Sequence, residues 1–194
     1  MRISEADIVF VPGLGGSGSD HWQSRWAQKM STGQTVDLPD LDTPRLDEWI
    51  RAIRQTIGAC QRPVLIVGHS LGSIAAVHAA QTMPQLEAHG ASPFRTVRGA
   101  VLVTPPSART LKPIAAIDPA FSAIPTAPLP FPSLVIASQN DAFATMQETE
   151  NMALDWGAQI VDAGEAGHIN AQSGHGPWPE GLMRLAGFLK TLSG

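Results

Sequence analysis

The sequence predicts an α/β fold in which a doubly wound, mostly parallel six-stranded sheet, in the order 2-1-3-4-5-6, carries helices on both faces. Three observations predict it. Strand-length apolar runs at 8–11, 35–38, 64–67, 100–103, 134–137 and 159–162 alternate with helix-like segments. Most of these runs are apolar throughout instead of alternating, as strands buried on both faces must be. A strand-to-helix corner at Gly68-His69-Ser70-Leu71-Gly72 joins the buried run Val64-Leu65-Ile66-Val67 to the small-residue run from Ser73 to Ala80. The order places a switch point between strands 1 and 3, so the loops after those strands flank one crevice.

Composition sets the frame for the elements. The 194 residues, 43% hydrophobic and 15% charged, suit one domain over 1–194 with a full core. A net charge of −4 without any Lys/Arg cluster gives no nucleic-acid footprint. Cys60 is the single cysteine, which excludes an internal disulfide, and its place before an apolar strand reads as a buried thiol. No apolar run reaches membrane-spanning length, and the amino end enters a strand without a signal-peptide pattern, so a cytoplasmic protein with no membrane partner is expected.

Taken in order, the first strand leads into Pro12-Gly13-Leu14-Gly15-Gly16-Ser17-Gly18-Ser19 and then a helix-like stretch around His21-Trp22-Gln23 and Trp26. Gly13, Gly15 and Gly18 spell G-x-G-x-x-G, and Asp37 stands where a ribose-binding acid would, so a dinucleotide site is a rival reading. Pro12 at the turn and a helix cap at Ser19 or Asp20 argue against it, because the helix then starts too late to receive a pyrophosphate. The next helix is expected to open with Thr43 as cap and Pro44 at its first position, then to bury Leu46, Trp49, Ile50, Ile53 and Ile57 on one face. Residues 104–132 hold eight prolines, which forbids a long helix, together with Leu111, Ile114, Ile117, Phe121, Ile124, Leu129 and Phe131. That combination predicts a semi-rigid flap over the carboxyl ends of the strands. The closing helix opens at Trp178-Pro179-Glu180 and turns Leu182, Leu185, Leu189 and Leu192 to one side.

The glycines around Ser70 have a physical reason. In a G-x-S-x-G elbow the serine sits on a strained turn where a side chain at either glycine would collide with neighbouring backbone. A serine hydroxyl is a weak nucleophile, so it needs an imidazole to take its proton and an acid to orient that imidazole. Asp141 follows the fifth strand and His168 the sixth, both at the edge where Ser70 stands, which gives the order serine, acid, histidine. Asp162 as acid leaves too short a chain to fold back beneath His168, and His175 as base needs its loop to double back. His69 is fixed in the elbow turn and expected to point away from the nucleophile, His78 lies on a buried helix as a packed histidine, and His21 either reaches the site or caps its helix. No His/Asp/Glu/Cys grouping has metal-ligand spacing, and no cofactor is implied.

Val11-Pro12-Gly13 with His21-Trp22-Gln23 and Trp26, the elbow, Leu129-Pro130-Phe131-Pro132-Ser133, Trp156-Gly157-Ala158, and Ala166-Gly167-His168-Ile169-Asn170 with Gly176-Pro177-Trp178-Pro179-Glu180 together resemble one family. It is the small serine hydrolase family typified by retinoblastoma-binding protein 9 and its bacterial relatives. The resemblance runs over nearly the whole chain and implies a minimal α/β-hydrolase fold, with Ser70, Asp141 and His168 on the triad positions. Asp141-Ala142-Phe143 departs from relatives that often carry proline and tyrosine after the acid. The expected activity is hydrolysis of a small carboxylic ester or amide through an acyl-enzyme. Backbone amides of Leu71 and Leu14 are expected to hold the oxyanion, and Trp22, Phe121, Leu129, Phe131 and Phe143, with Leu14, to wall a small pocket. The rival is a protein-binding module on the same fold. The L-x-C-x-E motif expected of a retinoblastoma-pocket ligand is absent, since the one cysteine sits in Gly58-Ala59-Cys60-Gln61-Arg62.

Overall fold

In a computed structural model, which describes residues 1–82 and 97–192, the strands form one six-stranded sheet. They are β1 Asp7–Val11, β2 Gly33–Thr35, β3 Val64–His69, β4 Val97–Val103, β5 Ser133–Ala137 and β6 Gln159–Asp162. Their order is β2-β1-β3-β4-β5-β6, and every pairing is parallel. The expected order and alternation are borne out.

The helices are α1 Trp22–Lys29, α2 Leu46–Ala59, α3 Leu71–Gln81, the short α4 Ala108–Leu111, α5 Met146–Asp155 and α6 Pro179–Thr191. Side chains alternate along a strand, so the sheet buries two separate cores. Ile8 and Phe10 of β1 pack with Trp22 and Trp26 of α1 and with Leu185, Phe188 and Leu189 of α6. Val9 and Val11 pack on the other face with Trp49, Ile53 and Ile57 of α2, with α3, and with Met152 of α5. Each fully buried aliphatic or aromatic side chain contributes about 1.5–3 kcal/mol. Almost every residue of β1 and β3 to β5 is buried, which explains their unbroken apolar runs.

Two expectations need correction. The second strand is Gly33–Thr35, not 35–38. Val36 and Leu38 are buried, but they lie beyond the ladder, with the Val36 N–H donating to the Phe10 carbonyl at 2.9 Å. Thr43 does not cap α2, because its N–H and hydroxyl turn back to Asp40. The helix starts at Leu46, whose N–H donates to the Asp118 carboxylate at 3.2 Å. The segment 104–132 contains α4 and a 3-10 turn at Pro119–Ser122. It is tied to its surroundings by Leu129 N–H to the Trp156 carbonyl (2.9 Å), Trp156 Nε1–H to the Pro125 carbonyl (2.8 Å) and Ser107 N–H to the Phe143 carbonyl (3.0 Å).

Candidate active site

β3 ends at His69 and α3 begins at Leu71, so a single residue, Ser70, makes the corner. Its φ of 53° and ψ of −128° are strained for a non-glycine residue. The flanking glycines are enforced by backbone. A Cβ on Gly68 would lie 2.7 Å from Ser73 Cα, and one on Gly72 would lie 2.3 Å from the Val11 carbonyl oxygen. Ser70 N–H donates to the Val103 carbonyl at 2.9 Å, which anchors the corner to β4.

The loops after β5 and β6 bring their side chains to this corner. His168 Nε2 lies 2.8 Å from Ser70 Oγ, and His168 Nδ1 lies 2.9 Å from Asp141 Oδ1. The His168 and Asp141 side chains are 11% and 3% exposed, so solvent scarcely competes for either bond. With the carboxylate accepting from Nδ1–H, Nε2 is left as the acceptor facing the serine hydroxyl. The two loops are stapled together by Asn140, whose Oδ1 accepts from Ser138 Oγ at 3.0 Å and from the Gly167 N–H at 2.6 Å. The His168 carbonyl accepts from His69 Nε2–H at 2.9 Å and from the Thr104 hydroxyl at 3.2 Å, and the Ile169 carbonyl accepts from Trp22 Nε1–H at 2.8 Å. Three parts of the fold therefore hold His168 in place.

A cavity of about 500 Å³ opens over Ser70 and His168. Its apolar lining is Leu14, Pro106, Leu111, Ile114, Ile117 and Phe143. Its polar lining is Ser19, Asp20, His21, His69, Asn170 and Gln172. Leu71 is the first residue of α3, so its N–H has no acceptor within the helix, and it lines the cavity with Leu14. Gly13 passes so close that a Cβ there would lie 2.9 Å from Ser70 Cβ.

Of the expected walls, Leu14 and Phe143 line this cavity, and the Phe143 ring lies 4.4 Å from that of His168. Trp22, Phe121, Leu129 and Phe131 do not. Trp22 is fully buried between Trp26 and Trp178, Phe121 is fully buried edge-on to Trp49, and Leu129 and Phe131 pack against β3, α3 and β4. The large aromatics are core, and the aliphatic residues of α4 and its continuation take their place at the cavity. The other candidates lie elsewhere. Asp162 bonds to Gln139 and the Gly164 N–H, and His175 Nδ1 pairs with Ser173 Oγ at 3.1 Å. α1 starts at Trp22, well after Gly18, while the glycine loop packs against the elbow and Asp37 is exposed. That geometry leaves no helix N-terminus at the glycines to receive a pyrophosphate.

His21 both caps and lines. Its Nδ1 accepts the Gln23 N–H at 3.2 Å, its ring borders the cavity, and burial together with the nearby His168 pushes its pKa down to about 4. His69 is also held neutral, chiefly by burial, with its pKa well below the usual histidine range. The structural role of Gln23 is the one a sequence reading misses. It is 1% exposed, and its Nε2 donates to the Val11 carbonyl (3.2 Å) and the Val67 carbonyl (3.1 Å), clasping the ends of β1 and β3 beneath the crevice. A polar residue flanked by Trp22 and Trp26 on a helix packed against the sheet is the signal that marks it.

Comparison with known proteins agrees with this architecture. The family model described as serine hydrolase matches residues 8–187. A YdeN-like hydrolase from Pectobacterium atrosepticum is 35% identical, with a TM-score of 0.81 over 98% of this chain and 94% of that one. The ydeN gene product of B. subtilis is 16% identical, with a TM-score of 0.72 over 95% of this chain and 99% of its own. A thermophilic esterase from Thermogutta terrifontis, solved with propionate bound, is 16% identical with a TM-score of 0.69, covering 100% of this chain and 86% of that one. Comparison with curated proteins finds no match. A family model spanning most of the chain and a 35% identical structure covering nearly all of it lead to one conclusion: this chain belongs to the serine hydrolase family, with an α/β-hydrolase fold.

Proposed function

We propose that this protein hydrolyses small carboxylic esters or amides through an acyl-enzyme on Ser70. The observation that carries the reading is the unbroken line of hydrogen bonds from Ser70 Oγ to His168 Nε2 (2.8 Å) and from His168 Nδ1 to Asp141 Oδ1 (2.9 Å). As Ser70 Oγ attacks the acyl carbon, its proton passes to His168 Nε2, and Asp141 stabilises the imidazolium that forms. The carbonyl oxygen becomes an oxyanion, which the Leu71 and Leu14 N–H groups receive. The tetrahedral intermediate then expels the alcohol or amine, which takes the proton from His168. Water repeats the sequence on the acyl-enzyme, giving its proton to His168, and the serine recovers a proton as the acid leaves.

The apolar lining of the cavity takes the acyl chain. Leu111, Ile114 and Ile117 present aliphatic surface, and each methylene that fits contributes about 0.8 kcal/mol. The flap's hydrogen bonds to α2 and to the loop after α5 limit how far that wall can retreat. We therefore expect kcat/KM to rise over the first few acyl carbons and then fall, with no jump above a micellar threshold. The experiment is p-nitrophenyl ester hydrolysis from acetate to decanoate on wild type and Ser70→Ala, beside fluorophosphonate labelling. A Ser70→Ala variant that kept wild-type turnover would refute the mechanism, and a rate still climbing at decanoate would refute the short pocket.

A further inference from the structure

The polar lining of the cavity has its own chemistry, and its atoms can be assigned. His21 Nδ1 accepts a backbone N–H from Gln23, so the proton of this imidazole resides on Nε2. His69 Nε2 faces the His168 carbonyl, an acceptor, so that nitrogen is the donor and Nδ1 is the bare acceptor. Burial keeps both rings neutral, which leaves each tautomer as the backbone sets it. Among the described residues neither His21 Nε2 nor His69 Nδ1 has a partner, and neither is sealed from solvent, in contrast to His78 Nε2, a closed-off orphan on α3. Both residues line the cavity.

Their position relative to the chemistry is also fixed. The rings stand in succession, His168 to His69 at 5.0 Å and His69 to His21 at 4.7 Å between centroids. In the proposed mechanism the departing oxygen or nitrogen sits at His168 Nε2, and the aliphatic lining given to the acyl chain comes from the segment after β4, which leaves the two histidines for the leaving group. Among the described residues the cavity wall contains no Lys or Arg, and its one carboxylate, Asp20, is paired with Arg25 at 2.8 Å.

Resting on the proposed acyl-enzyme reading, we infer that His21 is a specificity-determining residue whose Nε2–H, with His69 Nδ1 beside it, binds an uncharged hydroxyl on the leaving group, so that the preferred substrates are hydroxyalkyl esters of short acids. A hydroxyl suits this pair because it donates and accepts at once. An alkyl arm of the same shape satisfies neither atom and leaves both desolvated.

The test compares isosteric butyrate esters: n-propyl against 2-hydroxyethyl, and n-butyl against 3-hydroxypropyl. Each kcat/KM is divided by the ester's hydroxide-catalysed rate to remove intrinsic reactivity. In wild type at least one hydroxylated ester is expected to exceed its alkyl partner by about 5- to 10-fold, the range of one net hydrogen bond. In His21→Asn, which keeps a side-chain oxygen for the Gln23 N–H but is too short to reach the arm, that ratio is expected to fall to about one. Because the readout is a ratio within each protein, a general loss of activity in the variant does not alter it. A wild-type ratio of about one for both pairs, or a preference that survives in His21→Asn, overturns the inference and leaves the mechanism standing. If wild type hydrolyses none of the four esters and Ser70 does not react with a fluorophosphonate, the mechanism falls and the inference with it.

Discussion

Replacing Gln23 by methionine tests whether the ends of β1 and β3 are held together by a side chain from α1. Methionine keeps the length and approximate volume but withdraws two donors and one acceptor. The Val11 and Val67 carbonyls lose bonds of 3.2 and 3.1 Å at a position that is 1% exposed, so water cannot readily replace them. A buried polar group left unpaired costs about 1–3 kcal/mol, and a carbonyl with a second lone pair falls at the low end, which gives a total of about 2–3 kcal/mol. In a chain of this size that lowers Tm by roughly 5–10 °C. Gln23 Oε1 also accepts from the Ser17 hydroxyl at 2.8 Å, so the glycine loop loses a tether and turnover should fall even at temperatures where both proteins are fully folded. Gln23→Glu makes the test sharper. At neutral pH its carboxylate would face two carbonyl oxygens, and it should be less stable than Gln23→Met. Urea unfolding of all three proteins at pH 7 reads the differences. A Gln23→Met variant within about 0.5 kcal/mol of wild type, the usual scatter of surface substitutions, or a Glu variant more stable than the Met variant, would refute the clasp.

Three other outcomes follow from the same geometry. Gly72→Ala places a Cβ 2.3 Å from the Val11 oxygen and 2.4 Å from the Pro12 oxygen, both backbone, so the elbow must shift; insoluble or strongly destabilised protein is expected, and wild-type stability in a thermal melt would contradict it. His168→Ala should lose several orders of magnitude in kcat, without adding to the loss in Ser70→Ala, whereas His175→Ala, which removes a bond to Ser173 Oγ, should keep turnover within a few-fold of wild type; the reverse pattern in ester hydrolysis would reassign the base. His21 and His78, with pKa values lowered from 6.5 to about 4, and His69, whose pKa is also lowered well below the usual histidine range, are held neutral by burial, so between pH 6.5 and 4 the unfolded chain binds protons that the folded chain does not. Stability is then fully present above the unfolded pKa and declines as pH falls through that window, and urea midpoints at pH 7, 5.5 and 4.5 that did not decrease would contradict the assignment.

Strands were the most legible feature because a parallel sheet buried on both faces writes an uninterrupted apolar run, as in β3 and β5. The second strand shows the limit of that signal. Apolar residues report burial and not pairing, so Val36 and Leu38, buried beyond the ladder, drew the expected strand past its true end at Thr35. The start of α2 was illegible for a different reason. Its cap comes from Asp118, 72 residues away on the flap, while the local candidate Thr43 is drawn off by Asp40. At the cavity, hydrophobicity marked the flap as a wall but could not say which of its residues face inward. Phe121 gains more by packing edge-on against Trp49 than by facing an open cleft, and the smaller Leu111, Ile114 and Ile117 are left to line it. The histidine tautomers lay beyond the sequence entirely, because each is set by a backbone group that only the fold brings within reach.

The strain in the backbone is concentrated where these loops converge. Of the five described non-glycine residues with positive φ, three gather here: Ser70 (53°) follows β3, Thr104 (44°) follows β4 and Ile169 (45°) lies in the loop after β6, while Asp40 and Trp178 lie elsewhere. Such conformations cost about 1–3 kcal/mol each and persist only when the surroundings over-determine them. Here the surroundings do so in one connected network. Ser70 N–H is held by the Val103 carbonyl and Thr104 N–H by the Ile136 carbonyl, each the neighbouring strand's last or next-to-last residue. The Thr104 hydroxyl then reaches the His168 carbonyl, and Trp22 reaches the Ile169 carbonyl. Each of these three residues thus either belongs to the Ser70–His168 pair or is bonded to its backbone, and relaxing one would move the imidazole relative to the hydroxyl. The sheet's rigidity is transmitted to the 2.8 Å contact through backbone carbonyls. For that reason Thr104→Val, which keeps the side chain's shape but removes the hydroxyl, should lower kcat more than it raises KM, and should do so without a comparable loss of stability, since His69 still holds the same carbonyl. Steady-state kinetics beside a thermal melt separates the two effects; an unchanged kcat would show that the His69 bond alone suffices to position His168.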